Sequence, residues 1–214
     1  MKRNSLMKAN RLGAVANVIR REHSEEPLTF FTLSRLLFAW GNPGYSAGVR
    51  YLQQIDRLFN AGSGAVLECG SGATTVLLGL LAEKYDRYVW VFEHHERWAR
   101  HIAEVCRELG LDRVNVRYTP LKNYGEYDWY QLPASPLPRD FDLVVCDGPP
   151  GGIQGGRYGL LPVMSGYLRS DCRILLDDAH RQKEKELIRR WADEQKLCWS
   201  RLGATGRCAE IAFA

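Results

Sequence analysis

The stretch Val66-Leu67-Glu68-Cys69-Gly70-Ser71-Gly72 decides the fold of this chain. A short apolar run ends in a carboxylate and is followed by a Gly-x-Gly turn and by the apolar segment 73–81, which is typical of a helix. A strand, a tight turn and a helix N-terminus form the geometry with which parallel α/β sheets hold nucleotide-like ligands. The two glycines let the backbone approach such a ligand closely, because a Cβ at either position would fill that space.

The composition is that of one globular domain. The chain has 214 residues, of which 45% are hydrophobic and 25% charged, and its net charge is +4. A net charge this small does not require an anionic partner. Because the sequence shows no added RNA-binding module, we expect no nucleic-acid partner. The six cysteines have no metal-like spacing, and no apolar leader follows the basic N-terminus, which predicts a cytoplasmic protein. No run approaches the ~20 apolar residues that a membrane span needs.

Short apolar runs alternate with longer helical patterns from residue 65 onward. The predicted strands are 65–68, 88–93, 114–116, 141–147 and 173–177, followed by an antiparallel pair, 197–202 and 209–213. The predicted helices are 74–83, a second one ending near residue 109, 158–168 and 180–194. This order predicts an α/β, Rossmann-like fold with a seven-stranded, mostly parallel sheet in a three-layer α/β/α arrangement.

Two segments lie outside this array. Residues 1–60 are predicted to be an N-terminal helical extension of the domain 61–214, with helices at 10–21, 29–39 and 48–60. Residues 118–139 are rich in Pro, Tyr and Trp, and a loop of this length in a compact domain is usually functional or mobile.

A second carboxylate, Glu93, ends the second predicted strand. At that position a carboxylate can accept hydrogen bonds from both hydroxyls of a ribose. A dinucleotide fingerprint would have a third glycine where this chain has Thr75. The combination of Glu68-x-Gly70-x-Gly72 with Glu93 instead resembles class I S-adenosylmethionine-dependent methyltransferases, and the likeness covers about residues 60–214.

This resemblance implies S-adenosylmethionine as the cofactor. The turn would face the methionine end of the cofactor through Glu68, Gly70, Ser71 and Gly72. Thr119 falls where the family packs the adenine ring, and Asp147 corresponds to the family's fourth motif and is assigned to the cofactor as well. Because N-terminal helices often cover the substrate side in this family, residues 1–60 are predicted to be a substrate lid or a homodimer contact.

Three carboxylates are predicted to converge at the carboxyl edge of the sheet. Asp147 ends one strand, and the pair Asp177-Asp178 ends the next. Carboxylates so placed repel each other unless a positive group lies among them, and a hard divalent cation is one answer. The pattern is similar to metal-dependent O-methyltransferases of the caffeoyl-CoA, catechol and macrocin type, which implies Mg or Ca at these residues. The alternative is structural, with Asp178 as the N-cap of the last large helix and Asp177 bonded to its own loop.

The resemblance to that group implies catalysis at this edge. Asp147 is assigned a catalytic role through the metal, which would bind the acceptor hydroxyl and lower its pKa. His180, one turn from the aspartate pair, is the candidate general base. Arg157 and Tyr158 follow a glycine-rich loop that could present an Arg fork to an anionic or sugar acceptor, and Tyr45 is a further candidate for the acceptor site.

The sequence therefore predicts O-methylation of a hydroxyl on a small molecule or saccharide. The segment Asp147-Gly148-Pro149-Pro150-Gly151 is not the Asn-Pro-Pro-Tyr signature of many amine-methylating enzymes. Other functions stay open: an N-methyltransferase, a protein or RNA methyltransferase, or a regulator that binds the cofactor without catalysis. A nicotinamide oxidoreductase is disfavoured by Thr75.

Overall fold

The computed structural model describes residues 2–22, 27–41, 47–202 and 206–214, with side chains from residue 10 onward. Three helices precede the sheet: α1 (Lys2–Arg21), α2 (Phe30–Trp40) and α3 (Val49–Ala61). The first half of the α/β array consists of β1 (Ala65–Cys69), α4 (Ala73–Tyr85), β2 (Val89–Glu93), α5 (Glu96–Glu108) and β3 (Val114–Tyr118). The remaining elements are β4 (Leu121–Asn123), β5 (Asp128–Tyr130), β6 (Phe141–Cys146), α6 (Leu160–Met164), β7 (Leu168–Leu176), α7 (Gln182–Glu194), β8 (Leu197–Leu202) and β9 (Cys208–Phe213).

Seven strands form one sheet in the order β3-β2-β1-β6-β7-β9-β8. The pairs among the first five of these strands are parallel, whereas β9 runs antiparallel to both β7 and β8. This confirms the predicted parallel array and terminal antiparallel pair. The chain moves outward from β1 to β3 and then returns to β6 on the other side of β1. The gap between the carboxyl ends of β1 and β6 is therefore the topological switch point of the sheet, where open α/β folds bind their ligands.

Two apolar cores, one on each face of the sheet, confirm the three-layer arrangement. The first is built from α1 to α5, and α4 lies in it so deeply that every residue from Ala73 to Ala82 is buried. The second contains α6, α7 and the fully buried aromatic pair Trp129 and Tyr130. The extension 1–60 shares the first core with α4, through residues such as Leu33 and Leu52. Its predicted role as a lid or a dimer contact stays a prediction.

Two predicted helices differ from those in the structure. The segment predicted as one helix over 158–168 is the short α6 and a 3-10 turn at Ser165–Tyr167, after which β7 already begins at Leu168. Gly159 and Gly166 flank this short helical segment, and glycine weakens the interior of a helix. The last large helix begins at Gln182, so residue 180 lies in the turn before it.

The segment 118–139 contains the antiparallel pair β4–β5. Gly125, at a φ of +93°, permits the turn between the two strands, and the Tyr124 N–H donates to the Tyr127 carbonyl at 2.8 Å. The strands are three residues each, which is too short for an alternating pattern to reveal them. Among the described residues, no helix has both the length and the apolar character that crossing a membrane requires.

Candidate functional site

The carboxyl ends of the central strands are tied to one another by backbone hydrogen bonds. The Gly70 N–H donates to the Phe92 carbonyl of β2 at 2.9 Å, and the Gly148 N–H donates to the Cys69 carbonyl of β1 at 2.7 Å. Gly70 has a φ of +87°, and a Cβ there would lie 3.0 Å from the Gly148 nitrogen. Only glycine fits this conformation and this approach, so the two turns after β1 and β6 pack directly on each other at the switch point.

Glu68 lies beneath the turn after β1 and is 1% exposed. One carboxylate oxygen accepts a short hydrogen bond from the Thr74 hydroxyl, and the other accepts from the Thr75 hydroxyl at 2.7 Å. Thr75 Oγ1 in turn accepts from the Gly72 N–H at 2.9 Å. Burial raises the pKa of Glu68 to about 8 against the effect of both threonine hydroxyls. Both oxygens of Glu68 thus bond side chains of the first turn of α4, and the predicted contact of Glu68 with the cofactor stays a prediction.

Glu93 and Ser71 form the upper rim of the turn. Ser71 Oγ donates to Glu93 Oε2 at 2.7 Å, and the His95 N–H donates to Glu93 Oε1 at 2.8 Å. Burial alone would raise the pKa of Glu93, but the His94 ring, whose Nδ1 lies 3.2 Å from Oε1, and the hydrogen bonds from His95 and Ser71 bring it below its usual value. Glu93 thus presents an ionised carboxylate in a fixed orientation, which suits it to accept hydrogen bonds from the hydroxyls of a ribose. A Cβ built on Gly72 meets no atom of the described residues within 4 Å, so these residues leave open space beside this rim.

Thr119 follows β3 at the same edge of the sheet. Its N–H donates to the Glu93 carbonyl at 2.9 Å, and its side chain is buried. Within the described part of the chain, the Thr119 hydroxyl has no hydrogen-bond partner. A buried hydroxyl is normally satisfied, and an orphaned one calls for an explanation such as a bound ligand. The open space at Gly72, the Glu93 carboxylate and the Thr119 hydroxyl fit the nucleoside cofactor that the sequence implied.

The three predicted carboxylates do converge. Asp147, Asp177 and Asp178 each offer an oxygen, and these oxygens lie within 4.8 Å of one another. Burial and the charge of Asp147 raise the pKa of Asp177 to about 6, and burial also raises the pKa of Asp147. The N-cap residue of α7 is Arg181, so the alternative that Asp178 caps this helix is wrong. Asp177 does bond its own loop, because its Oδ1 accepts from the Asp178 N–H at 2.8 Å.

A guanidinium also lies inside this cluster. Arg157, which is 3% exposed, donates through Nη1 to the Asp177 carbonyl at 2.6 Å and through Nη2 to Asp147 Oδ1 at 3.1 Å. Nη2 lies 3.4 Å from Asp178 Oδ2, and Nη1 lies 3.7 Å from Glu184 Oε1. The sequence predicted that Arg157 would present its fork to an acceptor. The structure instead places both terminal nitrogens within the cluster, where they contact Asp147, Asp177 and Asp178.

The structure places Tyr158 and His180, two further residues predicted for acceptor binding and catalysis, on different elements. The Tyr158 hydroxyl is hydrogen-bonded to Glu194, with its oxygen 2.8 Å from Oε2, and the Arg190 guanidinium stacks on its ring at 3.7 Å. Tyr158 and Arg157 line a pocket of about 290 Å³ between the loop 151–156 and α7. His180 is exposed in the turn between Asp178 and α7. Tyr45 lies outside the described residues.

Two side chains that the structure brings to this edge were not predicted from the sequence. Thr75, noted only as the residue that replaces a glycine, is the link between Glu68 and the turn. Tyr130 of β5 is fully buried, and its hydroxyl lies beside Gly148. The signal for Thr75 was its position in the first turn of the predicted helix that follows Glu68 and the Gly-x-Gly turn. Tyr130 had none, because its strand was not predicted.

Known proteins resemble this chain in structure alone. No family model matches it, and neither does any curated protein. A Podospora anserina methyltransferase, PaMTH1, bound to SAH (S-adenosylhomocysteine) superposes with a TM-score of 0.64 at 14% identity, covering 94% of each chain. An O-methyltransferase from Bacillus cereus in complex with SAH superposes with a TM-score of 0.59 at 18% identity, covering 94% of this chain and 97% of that one. The N-terminal domain of human METTL16 in complex with SAH superposes with a TM-score of 0.53 at 14% identity, covering 79% of this chain and 72% of that one. These structural similarities show that this chain has the Rossmann-like fold of methyltransferases.

Proposed function

We propose that this protein is an S-adenosylmethionine-dependent methyltransferase. The observation that carries the proposal is the rim at the switch point, where the Gly70–Gly72 turn lies beside the oriented and ionised carboxylate of Glu93. Glycines at the first and last positions of this turn, which let a ligand approach the backbone, and a carboxylate that can bind a ribose are what a nucleoside cofactor requires there. The resemblance in fold to three proteins with SAH bound supports the same conclusion.

The acceptor in this proposal is a hydroxyl group on a small molecule or saccharide. When bound, the cofactor supplies a methyl group on a sulfonium, and the S–C electron pair stays on sulfur as SAH is formed. The protein contributes proximity, orientation and removal of the hydroxyl proton. His180 is the candidate base because it lies in the turn that follows Asp178. The pocket lined by Arg157 and Tyr158 is the candidate place for the remainder of the acceptor.

A divalent cation is the second part of the proposal. Four carboxylates meet at the cluster, Asp147, Asp177, Asp178 and Glu184, against the two guanidiniums of Arg157 and Arg181. Because negative charge is in excess, Mg²⁺ or Ca²⁺ fits at the oxygens of the three aspartates, which are hard ligands for hard cations. Such an ion would lower the pKa of the acceptor hydroxyl, and it would share Asp147 and Asp178 with Arg157.

A homodimer through the extension belongs to the same proposal. Helix α2 leaves three large apolar side chains exposed: Phe30, Phe31 and Phe38. Exposed apolar groups of this size on one helix are typical of a contact surface.

Calorimetric titration with SAH tests the cofactor assignment, with NADH as the competing ligand. Wild-type protein is expected to bind SAH in the micromolar range and to bind NADH much more weakly. Glu93→Ala should weaken SAH binding at least tenfold, whereas the matched control Glu96→Ala, which removes an exposed carboxylate three residues away, should leave it unchanged. Stronger binding of NADH, or equal SAH affinity in the two variants, would overturn the proposal.

A further inference from the structure

The tyrosine of the unpredicted hairpin lies at the centre of the ligand-binding edge. Tyr130 pairs with Leu121 in the antiparallel pair β4–β5 and is fully buried. Its ring centroid lies 5.9 Å from that of Phe92 and 6.4 Å from that of His94, which flank Glu93 at the end of β2. The hairpin thus delivers this side chain to the ends of the parallel strands.

The Tyr130 hydroxyl lies at the switch point itself. A Cβ built on Gly148 would be 2.6 Å from the Tyr130 hydroxyl oxygen and 2.9 Å from Gly70 Cα. The hydroxyl is therefore next to the first turns after β1 and β6, the two strands between which the order of the sheet reverses. Ligands of open α/β sheets bind in the crevice outside these strand ends.

This hydroxyl has no hydrogen-bond partner among the described residues. Leaving a buried hydroxyl unpaired is unfavourable, and folded proteins rarely do so without a reason. The second orphaned hydroxyl at this edge is that of Thr119, which the resemblance assigned to the cofactor. Burial raises the pKa of Tyr130 well above its usual value, so the group is a neutral donor.

We propose that the Tyr130 hydroxyl donates a hydrogen bond to the bound S-adenosylmethionine or SAH. The inference rests on the proposed function, because the ligand is the cofactor of that reaction. Tyr130 is then a cofactor-binding residue supplied by the β4–β5 hairpin. Within the described part of the free protein the hydroxyl is unpaired, and the ligand provides the missing acceptor.

The substitution Tyr130→Phe tests this role, since it removes one oxygen and keeps the packed ring. We expect the Kd for SAH to rise about tenfold, which corresponds to ~1.4 kcal/mol. The melting temperature of the free protein should stay the same or rise by ~2–4 °C, because an unpaired buried group has been removed. The control is Tyr124→Phe, on the same hairpin, whose hydroxyl bonds the Tyr130 carbonyl at 3.4 Å and should leave SAH binding unchanged.

The outcomes separate this inference from the proposed function. If wild-type protein binds SAH and Tyr130→Phe binds it equally well, the inference is overturned and the proposed function stands. Weaker binding together with a lower melting temperature would assign the hydroxyl a partner within the protein and would also overturn the inference. If wild-type protein does not bind SAH, the proposed function and the inference fail together.

Discussion

Nη2 of Arg157 lies 3.1 Å from Oδ1 of Asp147, and the guanidinium that carries it is almost fully buried. The same side chain reaches Asp178 and Glu184, so one guanidinium contacts carboxylates that follow β6, that lie in the turn after β7 and that belong to α7. Three converging carboxylates need a positive group among them. The protein supplies at least part of that charge through Arg157. Arg157 thus links the segment after β6, the turn after β7 and α7.

The first prediction concerns the stability that Arg157 confers. Arg157→Met should lower the free energy of unfolding by about 3–5 kcal/mol, because buried carboxylates lose their compensating charge. Denaturant titration measures the change. The control is Arg181→Ala, which also removes a partner of Asp178, at 2.8 Å, but from a side chain that is 54% exposed; we expect a loss of at most ~1 kcal/mol. Equal losses in the two variants would show that burial of Arg157 among the carboxylates does not matter.

A second prediction addresses the divalent cation. Protein freed of metal by a chelator should gain about 2.7 kcal/mol of stability when Mg²⁺ or Ca²⁺ is present at a hundred times its Kd. Asp177→Asn should abolish that gain while its oxygen still accepts from the Asp178 N–H. Asp171→Asn, an exposed position on β7, should keep it. A gain that persists in Asp177→Asn, or its absence from the wild type, would remove the metal from the proposal.

The buried Glu68 predicts a specific dependence of stability on pH. Its pKa is about 8 in the folded protein against 4.5 for an ordinary glutamate, so the folded state binds a proton that the unfolded state has released. The stabilisation that comes from the proton bound to Glu68 is complete below about pH 4.5. It is lost as the pH rises to about 8, at up to ~1.4 kcal/mol per pH unit.

Glu68→Gln mimics the protonated form, and either threonine hydroxyl can accept from its amide. The difference in unfolding free energy between wild type and variant should therefore shift in favour of the variant from pH 5 to pH 8. Subtracting the two curves cancels the other titrating groups. A constant difference across this range would mean that Glu68 is ionised in the folded protein.

His180 gives a prediction about catalysis. If it removes the hydroxyl proton, His180→Gln should lower methyl transfer to a hydroxylated acceptor such as a catechol by about 10²–10⁴-fold and leave SAH affinity unchanged. The side chain is exposed, so the substitution should not affect folding. Transfer at the wild-type rate would leave deprotonation to another group at this edge.

Much of the fold could be predicted because its signals are local. The run before Gly70 and the apolar stretch after Asp142 are strands whose β-branched and aliphatic residues are buried on both faces, as parallel strands must be. The β4–β5 hairpin was missed because each strand is only three residues long, and the helix over 158–168 was predicted too long because its apolar residues suit either structure.

That Glu68, Glu93, Asp147 and Asp177 meet at the carboxyl edge follows from the order of strands in the chain, since parallel strands end on the same side. The contacts that each of them makes there depend on packing between elements. Glu68 faces Thr74 and Thr75 beneath the turn, Arg157 folds into the carboxylates, and Tyr130 reaches the switch point from a distant hairpin. Burial, partner and charge balance depend on residues far apart in the chain, which a local pattern does not encode.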